Sequence, residues 1–110
     1  MPFKSKISQN IGLSASPTTV TDTVSASTAH TIIGLSLANT TGANINVSAK
    51  FNKGGSGAFI VKDASVLPGG TLVLVGGDQK MVLETGDTLT AWSSSSNSCD
   101  AIVSYLSSTN

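Results

Sequence analysis

His30 is the sole histidine of the chain and Cys99 the sole cysteine. A serine or cysteine nucleophile needs an imidazole to take its proton and a third group to orient that base. Cys99, His30 and an aspartate make up the one thiol triad this composition allows. Nothing like a nucleophile elbow surrounds Cys99, which follows the serine-rich stretch 93–98. The expectation is therefore a strand-edge histidine and a small, buried or half-buried thiol. Asp63, Asp78, Glu84, Asp87 and Asp100 could serve a metal or a sugar. A calcium loop calls for D-x-[DN]-x-[DN]-G, which does not occur. Paired glycosidase carboxylates would work in an aromatic-lined cleft, which so few aromatics do not suggest. Asp78 and Asp87 follow glycine, and Asp100 stands at a strand start, where a carboxylate bonds nearby backbone amides. The sequence thus predicts no catalytic, cofactor-binding or metal-binding residue, and no enzyme.

Other motifs read as weakly. Asn39-Thr40-Thr41 and Asn46-Val47-Ser48 match the glycosylation sequon, as expected by chance in a chain rich in Ser, Thr and Asn. Gly54-Gly55-Ser56-Gly57 lacks the Gly-Lys-Ser/Thr and the helix of a phosphate loop. Phe3, Phe51, Phe59, Trp92 and Tyr105 are the only aromatics. They are expected as core or interface anchors rather than as a sugar-stacking platform.

The elements that would carry these residues are short and extended. Ile45, Val47, Ala49 and Phe51 alternate with Asn44, Asn46, Ser48 and Lys50, the period of a half-buried strand. Further strands are predicted over 3–8, 11–15, 18–24, 31–38, 58–62, 71–75, 80–84, 88–93 and 100–107. In the 31–38 strand, Ile33, Leu35 and Leu37 share a face. Asn39-Thr40-Thr41-Gly42 is predicted to close a hairpin. Turns are also expected at residues 53–57, Pro68-Gly69-Gly70, Gly76-Gly77-Asp78 and Thr85-Gly86-Asp87. Residues 93–98 read as a mobile loop. No stretch has helical periodicity with caps. Many short strands at this spacing predict an all-β, single antiparallel sandwich, jelly-roll-like or alternatively immunoglobulin-like.

The chain has 110 residues and no arginine, and its six lysines balance six acids. That length suits one domain, with about 5,700 Å² exposed after folding. The absence of arginine and of net positive charge argues against nucleic acid as a partner. The longest apolar run, 72–75, is too short to span a membrane. Met1 to Lys6 carries positive charge with no apolar stretch behind it, so no secretory leader is expected. Zero net charge protects little against self-association and points to a homo-oligomer. Residues 1–30 are rich in Ser, Thr and Ala and read as an N-terminal arm or as edge strands. Residues 31–110 read as the sandwich.

Three stretches carry a resemblance. They are Pro68 to Leu89 with its Gly86-Asp87-Thr88-Leu89 turn, Asp100-Ala-Ile-Val-Ser-Tyr-Leu106, and Ile33 to Thr41. Together they resemble small virion structural proteins of tailed bacteriophages. The resemblance implies a β-sandwich, most readily a homotrimer, bound to the major capsid protein or other virion proteins. It implies a location in the virion, after synthesis in the host cytoplasm. Capsid cement or decoration, bridging capsomers, is the leading expectation. A neck, tail or baseplate component is the alternative, and a host-surface or carbohydrate-binding module is the competing class.

Overall fold

Alternation, β-branched residues and glycine turns leave this chain little but extended structure, and nine strands form among the described residues. The computed structural model describes residues 3–76 and 80–109. The strands are β1 (Phe3–Ile11), β2 (Thr18–Thr19), β3 (Thr28–Asn39), β4 (Ile45–Lys53) and β5 (Ser56–Val66). They continue with β6 (Thr71–Val75), β7 (Met81–Leu83), β8 (Thr88–Ser93) and β9 (Cys99–Thr109). Sheet A runs β1-β9-β3-β6, with β7 pairing the other end of β3, and sheet B runs β2-β8-β4-β5. Every pairing is antiparallel.

Only the β4–β5 and β6–β7 connections stay within one sheet; every other connection crosses between sheets. First and last strands pair, and the double wrap is that of a jelly roll rather than an immunoglobulin sandwich. The exposed surface, 5750 Å², matches that expected of a closed domain of this mass. Ile32, Leu35, Leu37, Val47, Ala49, Leu83, Leu89, Ala91 and Val103 are buried between the sheets. Residues before Thr28 supply β1 and β2 at a sheet edge each, and add Ile11, Val20 and Val24 to the core.

Several predicted elements take another form. Residues 11–15 run from the end of β1 into a turn, and of 18–24 only Thr18–Thr19 pairs as a strand. Asn39 to Gly42 closes no hairpin, because β3 and β4 lie in different sheets. Asn39 instead donates its carboxamide to Ala43 O and Val66 O, pinning a crossover. A bulge between Ile32 and Gly34 puts Ile32, Leu35 and Leu37 in the core, leaving Ile33 half-buried. Phe51 pairs with Leu89 on the inner side but is also only half-buried. The loop read as mobile is tied down. Ser98 Oγ meets Ser93 Oγ and Ser95 O, while Ser94 N donates to Asn46 O.

The turns at 53–57, 68–70 and 85–87 form as expected. Gly54 and Gly55, both at positive φ, make the two-residue tip between Lys53 and Ser56. Gly69 at φ 72 completes a turn closed by Gly70 N to Leu67 O. The predicted turn at Gly76-Gly77-Asp78 lies partly outside the described residues.

Candidate functional site

Side chains on a strand alternate between faces, so pairing register assigns each sheet's outer side. On β9, Ala101, Val103 and Tyr105 point inward, leaving Ile102, Ser104 and Leu106 outside. Register then lines up two apolar rows across sheet A. One row is Ile7, Ile102, Ser36 and Val73. The other is Phe3, Leu106, Thr31 and Val82. Ser5, Ser104 and Gly34 form a low row between them. Phe3, Ile7, Val73, Val82 and Ile102 are each 52% to 74% exposed. Among the described paired positions of this face the sole charge is Asp100, at one end. Exposed apolar side chains gathered on one sheet face, interspersed with Ser5, Thr31, Ser36 and Ser104, are the kind of patch that marks contact surfaces in other proteins.

Sheet B presents a different outer face. Trp92 and Phe59 meet edge to face, ring centroids 5.8 Å apart. Lys50 Nζ and Lys62 Nζ lie 4.7 Å and 5.5 Å from the Phe59 ring centre, within cation–π range. Asn52 donates to the hydroxyls of Thr88 and Thr90 beside them. An open groove of about 500 Å³ lies along the end of the β4–β5 hairpin and beside β7, lined by Phe51, Lys53, Phe59, Ile60 and Met81 among others.

The residues singled out for chemistry are largely dispersed. His30 lies near one end of β3 and Asn39, which pairs Cys99, at the other. Nine residues of strand separate them, roughly 30 Å, so no triad joins His30 to Cys99. Burial, with the Asp100 charge nearby, pushes the Cys99 thiol up to about 11, the reverse of an activated thiolate. Glu84 and Asp87 do come together, but around Lys53 Nζ at 2.7 and 2.8 Å. Asp87 also accepts from Glu84 N, the local backbone bond expected of it. Lys53 holds the Asp87 carboxyl below the usual carboxylate range, against the opposing effect of burial. Asp63 is bonded to Ser48, and Asp100 accepts from Asn10 N across the sheet. Asp78 lies outside the described residues. Among the described residues no three His, Cys, Asp or Glu side chains gather as a metal site would require. Asn39 of the first sequon is buried and engaged, whereas Asn46 of the second is exposed.

One cluster escaped the sequence. Tyr105 stacks on His30, centroids 4.5 Å apart, and its hydroxyl donates to Asp22. Asp22 also faces Lys6 Nζ at 3.5 Å. The Tyr105 donor holds Asp22 below the usual carboxylate range, while burial and Asp22 push the phenol up to about 12. His30 Nδ1 is buried without a hydrogen-bond partner among the described residues. These groups sit in unrelated stretches of sequence, so no motif links them. The outer face of sheet A also has no local signature, since it exists only once register is known. No family model matches the chain, and comparison with curated proteins and with solved structures returns no match.

Proposed function

We propose that this chain is a non-enzymatic structural protein of a tailed-phage virion, acting as a capsid cement protein that bridges capsomers. The observation that carries the reading is the outer face of sheet A, where register gathers five exposed large apolar side chains and Asp100 is the sole charge among the described paired positions of that face. Such a face is built for association with protein. The resemblance of residues 68–89 and 100–106 to small virion proteins supplies the setting. The jelly-roll order supports it by analogy, being frequent among viral capsid domains. The mechanism is geometric. A homo-oligomer offers several modest contacts at once, and symmetry multiplies them into firm attachment.

Copy number tests the reading. Quantitative mass spectrometry of purified particles should find on the order of hundreds of copies per virion for shell-wide decoration, and about a dozen for a neck, tail or baseplate ring. Absence from particles would overturn the virion assignment. A host-surface or carbohydrate-binding module draws support from Trp92 and Phe59 beside Lys50, Lys62 and Asn52 on sheet B. Glycan binding by the purified protein, lost in Trp92→Ala, would favour that class.

A further inference from the structure

We infer that the outer face of sheet A is covered by the same face of a second copy, packed sheet against sheet about a two-fold axis. The inference deepens the assembly reading and rests on it, because it names the occupant of that surface.

The relief of the face is self-complementary. Its two ridges, Ile7–Ile102–Ser36–Val73 and Phe3–Leu106–Thr31–Val82, apolar but for the hydroxyl residue that β3 gives each, flank the furrow of Ser5, Ser104 and Gly34. A Cβ built on Gly34 would have nothing closer than Ser104 Cβ at 4.0 Å, so the furrow floor is open. A ridge of one copy fits the furrow of the other, and a two-fold axis makes the reverse fit identical. Charge also favours a second copy. Asp100 is the sole charge among the described paired positions of this face, with Lys80 and Glu84 just past the two ends of β7, so the faces meet without like-charge repulsion in their centre, and zero net charge adds none at long range.

Area decides whether the contact suffices. Four strand positions about 4.8 Å apart and roughly nine residues long, at ~3.4 Å per residue, give roughly 600 Å² per copy. A pair then buries about 1,200 Å², the lower bound of specific, stable interfaces. Sheet B makes a poorer self-contact, because Lys50 and Lys62 would face their own copies.

Light scattering on the purified full chain at about 100 µM should return twice the 11.1 kDa chain mass, with dissociation in the micromolar range. Ile102→Lys and Val73→Lys, on two different strands, should each weaken the pair at least ~100-fold. Thr88→Lys on sheet B should leave it intact. Hydroxyl-radical footprinting of the unaltered protein gives a reading that needs no variant. Phe3, Ile7 and Ile102 should be protected at high concentration and lose protection on dilution. A monomer at about 100 µM overturns the inference. So does three times the chain mass, since a three-fold ring uses two unlike surfaces on each copy. A dimer unchanged by both lysine variants, or one without protection at these side chains, also overturns it. None of these results alters copy number on particles, so the two readings fail separately.

Discussion

Replacing Tyr105 by phenylalanine keeps the ring, its stack on His30 and the packing of β9, and deletes one donor. That donor reaches Asp22, which lies 83 residues earlier on the segment between β2 and β3. Asp22 also meets Lys6 of β1, so one carboxylate ties a linker, an edge strand and a central strand together. A hydrogen bond to an ionised group contributes about 1.5–3 kcal/mol. The Asp22 side chain is 43% exposed, so water replaces part of the lost donor and the expected cost sits near the lower end, about 1.5 kcal/mol. The Lys6 contact, between two half-exposed groups, compensates by under ~1 kcal/mol. For a domain of this size the melting temperature should fall by roughly 5–10 °C.

The pH dependence identifies the cause. Tyr105 lowers the folded-state Asp22 pKa below its ordinary 3.8. The resulting stability is complete above the unfolded value and is lost as pH falls through the lower folded one. Urea midpoints of wild type and Tyr105→Phe should therefore stay a constant distance apart from about pH 7 to pH 5 and converge below about pH 4. An equal gap at about pH 7 and pH 3, or a difference under ~0.3 kcal/mol throughout, would refute the role given to the ionised carboxylate.

Three further outcomes follow from the same packing. Burial lowers the His30 pKa, with Asp22 opposing and Lys4 adding to the shift, so the unfolded chain takes up its proton first. Stability should fall as pH drops below about 6.5, and His30→Phe should remove that portion of the decline in urea midpoints. Leu37→Ala, at a fully buried inner position, should cost about 2–5 kcal/mol, and half-buried Phe51→Ala about 1–3. A reversed order in denaturant titrations would contradict the inner-face register. Deleting residues 1–15 removes β1 with buried Ile11 and bares the long edge of β9. The truncated chain should aggregate or lose its cooperative transition, and full-length stability in a soluble product would count against β1 as an integral strand.

What could be read from the sequence was local. β4 announced itself because its polar and apolar residues separate cleanly, and β6 and β8 because turns bound them closely. The 53–57 tip formed because two adjacent glycines accept the positive φ that a tight hairpin demands. Pairing partners are non-local, which is why the turn residues Asn39 to Gly42 suggest a hairpin although the segment crosses between sheets. The bulge at Ile32–Gly34 shifts the alternation by one residue, a change that period-two reading cannot register. β9 shows the limit most directly. Ala101, Val103 and Tyr105 face the core while Ile102 and Leu106 face outward, so apolar residues occupy both sides. With both sides apolar, alternation could not reveal that sheet A has a greasy outer surface.

That surface explains how a chain of zero net charge can still be electrostatically divided. The sandwich places Lys50 and Lys62 on the outside of sheet B, while among the described paired positions on the outside of sheet A the sole charge is Asp100, at the rim. Burial of apolar area favours closing A against A, and the lysines disfavour closing B against B. In the proposed pair, the two A faces lie about 10 Å apart and both B faces point away on opposite sides. Each B face brings Trp92, Phe59, two lysines and the glycine tip of the β4–β5 hairpin. A body with the same contact surface at both ends is divalent. Two weak attachments held at a fixed spacing bind far more firmly than either alone, but only to neighbours at the matching distance. Under the proposed cement role, bridging neighbouring capsomers would impose that requirement, and the apolar face proposed to pair the copies and the charged face that would grip the shell would be complementary parts of one arrangement.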